Sequence, residues 1–168
     1  LFESSEMKFF NPERDLPDRE PDRIFMAIDE AFGGGDFVSA PVCYQWDDSF
    51  YVMDVVFDKG DKKITRPLVA DMILKHNVQA AQFEETKTTT EYREWIENKL
   101  KEKGYRCNSY GKPTPGNTGK RNRIFDKAPE IREMYFLQNE FRSKPYQKFI
   151  QNLYSFKMEG KVKNDDAP

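Results

Sequence analysis

Cysteine and histidine are nearly absent: Cys43, Cys107 and His76 are all that 168 residues contain. No close cysteine pair and no second histidine accompany them, which excludes a zinc cluster and a disulfide framework, so the two thiols read as free and structural. No apolar run approaches the ~20 residues a membrane helix needs, and the leading "LFESSEMKFFNPERD" lacks the basic and then apolar layout of a signal peptide. A soluble domain in a cytosolic setting, with no membrane partner, is expected. A nucleotide-binding phosphate loop is also missing, because "GNTGKRN" has the wrong spacing and no apolar strand leads into it. Net basic charge is lacking too: the balance is −2, which argues against a surface coated with positive charge for nucleic acid.

The distribution of charge says more than its sum. Residues 3–36 are rich in acid (Glu3, Glu6, Glu13, Asp15, Asp18, Glu20, Asp22, Asp29, Glu30, Asp36), whereas 99–127 carry Lys99, Lys101, Lys103, Arg106, Lys112, Lys120, Arg121, Arg123 and Lys127. An acidic part and a basic part could together make a metal site beside a polyanion track.

Residues 1–22 place Pro12, Pro17 and Pro21 among charges and read as an extended linker, with the domain proper over 23–168. "RIFMAID" (23–29) is a continuous apolar run, the mark of a strand buried on both faces. Residues 36–46 and 49–57, rich in β-branched and aromatic side chains, predict two further strands joined by a tight "DD" turn. Thereafter the pattern predicts a helix over 65–78 with Pro67 in its first turn, a strand over 78–84, a helix over 90–104 stopped by Gly104, and a strand over 105–110. A glycine-, proline- and base-rich loop (111–125) and helices over 128–140 and 144–160 complete the order. Three strands by hairpins, then helix, strand, helix, strand and helices is the order of a ribonuclease H-like mixed α/β sheet, with the first long strand beside the fourth.

In such a sheet the apolar strand ending on Asp29 and the strand "AAQFEE" ending on Glu84 and Glu85 are parallel neighbours. Asp29 and Glu84 then converge, and like charges that close demand a cation or a raised pKa. The competing reading is a turn or cap carboxylate. Asp165 and Asp166 could complete the set, and Asp36, across Gly33–Gly35, could ligate or simply hold a turn. Oxygen ligands without histidine or thiolate select Mg²⁺ or Mn²⁺, and two such ions suit phosphodiester hydrolysis. A glycine loop for nucleotide phosphates is disfavoured: the loop is long, lacks a hydroxyl, and a single domain cannot enclose ATP.

At these residues the sequence resembles the C-terminal nuclease domain of the large terminase subunit of tailed bacteriophages. "FMAIDEAFGGGDFVSAPV" resembles that family's first-strand motif, "FEETKTTTEY" its second, "GKRNRI" its basic motif and "GKVKNDDAP" its closing acidic motif. The resemblance implies an endonuclease that cuts concatemeric viral double-stranded DNA with little sequence preference during packaging, in the cytoplasm of an infected bacterium. It implies Asp29, Glu84 and one or both of Asp165 and Asp166 as catalytic metal ligands, Asp36 as an auxiliary one, and Lys120 and Arg123 facing the DNA backbone; Arg121 and Lys112, in the same basic part of the chain, are further candidate DNA contacts. Partners implied are an N-terminal ATPase domain in the full subunit, a small terminase subunit and a portal, with the isolated domain a monomer. Glu30 stands where that family usually has proline, and Asn164 where it has histidine. Two readings of other classes remain: a non-catalytic module docking DNA or a portal, and a junction resolvase or integrase relative.

Overall fold

The computed structural model describes residues 7–32, 37–85, 90–113 and 133–154. Asp36, Lys120, Arg121, Arg123, Asp165 and Asp166 therefore lie outside the described residues. Seven strands form one sheet in the order β1-β7-β4-β3-β2-β5-β6, where β1 is Lys8–Phe10, β2 Arg23–Phe32, β3 Phe37–Trp46, β4 Ser49–Lys59, β5 Ala80–Glu85, β6 Asn108–Pro113 and β7 Tyr135–Leu137. The three consecutive strands β2, β3 and β4 are antiparallel, whereas β2–β5, β5–β6, β4–β7 and β7–β1 are parallel. This is the expected mixed α/β sheet with its long β2 central, beside both β3 and β5.

Two cores form because the strands alternate. Met26, Ile28, Val38, Ala40, Val42, Val56 and Phe83 face one side, where α1 (Lys62–His76) and α2 (Glu91–Glu102) cover them with Val69, Ile73, Tyr92, Ile96 and Leu100. Val52, Val55 and Phe57 face the other side, covered by a helix over 144–154 (α3) through Tyr146, Phe149, Ile150 and Leu153, which recur at helical spacing. Tyr146 also bridges strands: its hydroxyl accepts from Leu137 N–H (2.9 Å) and donates to the Val52 carbonyl (2.7 Å).

Local chemistry explains the boundaries. The helix expected over 65–78 runs over Lys62–His76: Asp61 caps it by accepting from Lys63 N–H at 2.9 Å, and Asn77 closes it in the left-handed conformation (φ 53°), which asparagine tolerates. Gly104, at φ 68°, follows α2 as expected. The β3–β4 hairpin turns on Asp47–Asp48, with Asp47 left-handed at φ 51°.

Two elements differ from the sequence reading. Residues 135–137, placed in a helix over 128–140, form β7, because Phe136 and Leu137 are buried between β1 and β4. Part of the expected linker is structured: Lys8–Phe10 is the edge strand β1, Met7 and Phe10 are buried, and Arg19 grips Asp22 (2.7 Å) and Asp47 (2.9 Å) at the hairpin turn. Residues 7–22 thus pack as part of the sheet domain. A smaller shift affects the last parallel strand, which runs over Asn108–Pro113 instead of 105–110.

Candidate active site

Parallel register decides which side chains meet at the ends of β2 and β5. Ala27 pairs with Gln82 and Ile28 with Phe83; both Ile28 and Phe83 point into the core under α1 and α2. One residue further, Asp29 and Glu84 therefore stand side by side and face the opposite, α3 side. Adjacent strands lie about 4.8 Å apart, so the two side chains leave the sheet from neighbouring positions, one step past the Ile28–Phe83 pair. Both are partly buried, and Glu84 Oε2 is shut off from solvent.

The row continues across the sheet. Asp29 pairs with Ser39 on β3, Ser39 with Phe57 on β4, and Glu84 with Lys112 on β6. Lys112 shares this face: Tyr110, two residues before it, donates its hydroxyl to Gln82 Oε1 (3.3 Å), two residues before Glu84. Lys112 is exposed. The resulting order is buried Ser39, acid, acid, exposed cation. Immediately beyond Asp29 the β2–β3 register slips between Asp29 and Phe32, a bulge of the kind that re-aims side chains at sites.

The sequence pairs "DE" and "EE" left open which acid of each faces the site, and the alternation sorts them. Glu30 and Glu85 lie on the α1/α2 side. Arg93 of α2 holds Glu85 through two nitrogens (2.7 and 3.3 Å) and Glu97 through a third (2.6 Å), and Ser109 of β6 donates to the same Glu97 oxygen (2.7 Å). The two glutamates raise the Arg93 pKa, their hydrogen bonds outweighing burial. Gly111 makes room for this arrangement, since a Cβ there would collide with the Glu85 carboxylate. Burial raises the Glu30 pKa, with Asp29 and Glu85 adding to the effect and Lys62 and Arg66 opposing it. Glu85 is therefore neutralised by a structural arginine, and Asp29 and Glu84 remain the pair aimed at the other face.

Sequence reasoning missed this Arg93 network; only the i,i+4 spacing of Arg93 and Glu97 was visible. The lone His76, set aside above as a metal ligand, has a structural partner. His76 Nε2 lies 2.8 Å from Asp54 Oδ2, and His76 Nδ1 lies 2.7 Å from the Tyr44 hydroxyl. This network sits beneath the C-terminus of α1, toward the opposite end of the sheet from Asp29.

Among the described residues no three His, Cys, Asp or Glu side chains gather as a metal site. The described part supplies two carboxylates. Their chemistry fits a hard divalent cation, because the neighbouring donors are all oxygen and the cysteines and His76 lie elsewhere.

By sequence, the chain matches no family model and no curated protein. By structure, it superposes on the human cytomegalovirus terminase nuclease domain in a manganese-soaked form with a TM-score of 0.58, at 8% identity over 92% of this chain and 85% of that one. The chain has the terminase nuclease-domain fold. An inhibitor-bound form of the same viral domain gives a TM-score of 0.54 at 7% identity, covering 94% of this chain and 88% of that one. The nuclease domain of the large terminase subunit gp2 of bacterial virus Sf6 gives 0.53 at 9% identity, covering 80% and 72%. The strand expected to end on Asp29 continues to Phe32, so Asp29 lies just past the end of its parallel pairing with β5 and Glu84 one residue from the end of β5, toward the C-terminal side where open α/β sheets present ligand sites.

Proposed function

We propose that the chain is a divalent-metal-dependent DNA endonuclease of the genome-packaging kind. The observation that carries this reading is the placement of Asp29 and Glu84 side by side on adjacent parallel strands, facing away from the helices that bury their neighbours. Two neighbouring carboxylates repel, and a cation between them offsets that cost.

In this reading Asp29, Glu84 and one or both of Asp165 and Asp166 hold Mg²⁺ or Mn²⁺, two ions in all, with Asp36 auxiliary. When bound, such ions supply an activated water and charge stabilisation at a phosphodiester. The chain's own contribution is rigidity and charge. Asp29 is fixed on the central strand, and Glu84 on a strand end that Arg93 ties to α2. Lys112 puts a cation one strand from Glu84, and with Lys120, Arg121 and Arg123 it would hold the phosphate backbone without reading bases. The finer assignments are part of the same proposal: concatemeric viral double-stranded DNA as substrate, an ATPase domain, small terminase subunit and portal as partners, and the cytoplasm of an infected bacterium as the setting.

Plasmid nicking in Mn²⁺ together with calorimetric Mn²⁺ titration tests the reading. Asp29→Ala should lower nicking by about a hundredfold or more, beyond the usual effect of losing an outer-shell contact, and should abolish the tightest Mn²⁺ uptake. Undiminished nicking and unchanged uptake in that variant would overturn it and leave a non-catalytic docking module. Strong preference for branched over linear DNA would reassign it to the resolvase class.

A further inference from the structure

We propose that the face of β5 and β6 beside the carboxylates is a track for an unpaired DNA strand, with Tyr110 as its stacking platform. The inference rests on the nuclease reading for its biological use, though not for its binding assay.

β6 is the sheet edge, and its alternate residues Asn108, Tyr110 and Lys112 are all exposed. They fall in register with Ala80, Gln82 and Glu84, so amide, ring and ammonium form a line that ends beside the acidic pair. Successive members of that line are about 6.6 Å apart along the strand.

Tyr110 is unusual in this chain. The sequence carries 14 Phe, 8 Tyr and 2 Trp, yet among the described residues the exposed large apolar side chains are Ile64, Leu68 and Tyr110. Ile64 and Leu68 belong to α1, away from this face; Tyr110 is the single aromatic, 43% exposed, and sits on the side that carries Asp29 and Glu84. Its hydroxyl is tethered to Gln82, which holds the ring over the sheet instead of letting it swing off the edge. A cross-strand contact with Gln82 alone would be served by a smaller side chain.

A ring offered on a sheet face, with a base-tolerant amide on one side and a cation on the other, suits a single strand: aromatic stacking accepts any base, and the cation takes the phosphate. Within a duplex both faces of each base are already occupied by neighbours, so Tyr110 could be used only where pairing has opened. The preferred substrate is then DNA with unpaired nucleotides next to the cut. Such recognition is independent of sequence.

Two measurements on the whole 168-residue chain test this. In EDTA and low salt, anisotropy of a labelled oligothymidylate should show about tenfold weaker binding for Tyr110→Ala, near wild-type binding for Tyr110→Trp with quenching of the new indole, and no change in duplex affinity for either. In Mn²⁺, a duplex with a short bubble should be cut faster than its fully paired counterpart, and Tyr110→Ala should erase that ratio. Wild-type oligonucleotide affinity in a folded Tyr110→Ala, or an unchanged bubble-to-duplex ratio, would overturn the inference. Cleavage that survives Asp29→Ala would instead sink the nuclease reading and leave the binding result standing.

Discussion

At the scale of single residues, Asp54 is a carboxylate whose neighbours give it a structural role, in contrast to the proposed role of Asp29. Asp54 lies on β4 where the β3–β4 register slips, and its Oδ1 accepts from Val55 N–H (2.9 Å) while Oδ2 takes Lys75 Nζ (3.1 Å) and His76 Nε2 (2.8 Å). A neutral His76 with its proton on Nε2 satisfies both neighbours, donating to Asp54 and accepting from Tyr44. Burial alone would raise the Asp54 pKa, but the hydrogen bonds from His76, Lys75 and Val55 overcome it and hold the carboxyl below its ordinary 3.8. A folded-state value below the unfolded one favours folding when the group is ionised. The stabilisation is therefore fully present well above pH 3.8 and is lost as pH falls through the ordinary value toward the folded one. Asp54→Asn should cost about 1–3 kcal/mol at pH 7, and its gap from wild type should narrow below pH 3.8. Urea melts at the two pH values measure this, and a gap that stays constant with pH would refute the account.

At the scale of elements, the contrast between Glu84 and Glu85 governs the site. Adjacent residues on β5 face opposite sides, and the arginine that engages Glu85 fixes the strand end from which Glu84 projects. Removing the guanidinium leaves Glu85, only 11% exposed, without its cation, while the more exposed Glu97 keeps the Ser109 hydrogen bond. Arg93→Ala should lose about 1–3 kcal/mol of stability, Arg93→Lys less, and Mn²⁺ affinity should fall in Arg93→Ala but by less than in Glu84→Ala. Thermal melts and calorimetry read the two effects separately; a stability loss with unchanged metal uptake would confine Arg93 to packing. The strands β2 to β4 were legible because each is an apolar or β-branched run between turn residues, β5 from the shorter "AAQF", and the nearness of Asp29 and Glu84 followed from strand order. By contrast β6, whose "NSYGKP" has no such run, was expected too early, at 105–110. Their sidedness beyond the pair, the bulge after Asp29 and the Arg93 clamp were not legible, since each depends on contacts between elements. β7 escaped notice because Met134, Tyr135 and Leu137 also suit a helical stripe and three residues are too few to show alternation.

At the scale of the whole molecule, the least legible feature is the closure of the second core by the chain's own beginning. β1 pairs in parallel with β7, Lys8 with Tyr135 and Phe10 with Leu137, a contact between segments near opposite ends that no local pattern announces. Prolines and charges disguise the strand as a linker, yet Phe10 packs edge-on against Tyr51 at 5.1 Å and both Phe10 and Met7 are buried with Phe136 and Tyr146. Beyond the strand, Trp46 donates its indole N–H to the Arg19 carbonyl at 2.9 Å, and Asp22 accepts from Asp47 N–H at 2.6 Å, so the segment is also tied to the β3–β4 turn. Cutting the chain at Arg23, the boundary that composition suggests, would expose Phe136, Tyr51 and Trp46 together. Burial of Met7 and Phe10 is worth about 3–6 kcal/mol at ~1.5–3 kcal/mol for each side chain, a large part of the 5–15 kcal/mol that holds a typical domain. A chain spanning 23–168 should therefore be unfolded or aggregated at 37 °C, whereas one spanning 7–168 should melt with the full sequence. Circular dichroism melts decide between them, and equal midpoints for all three chains would show that β1 is dispensable to the fold.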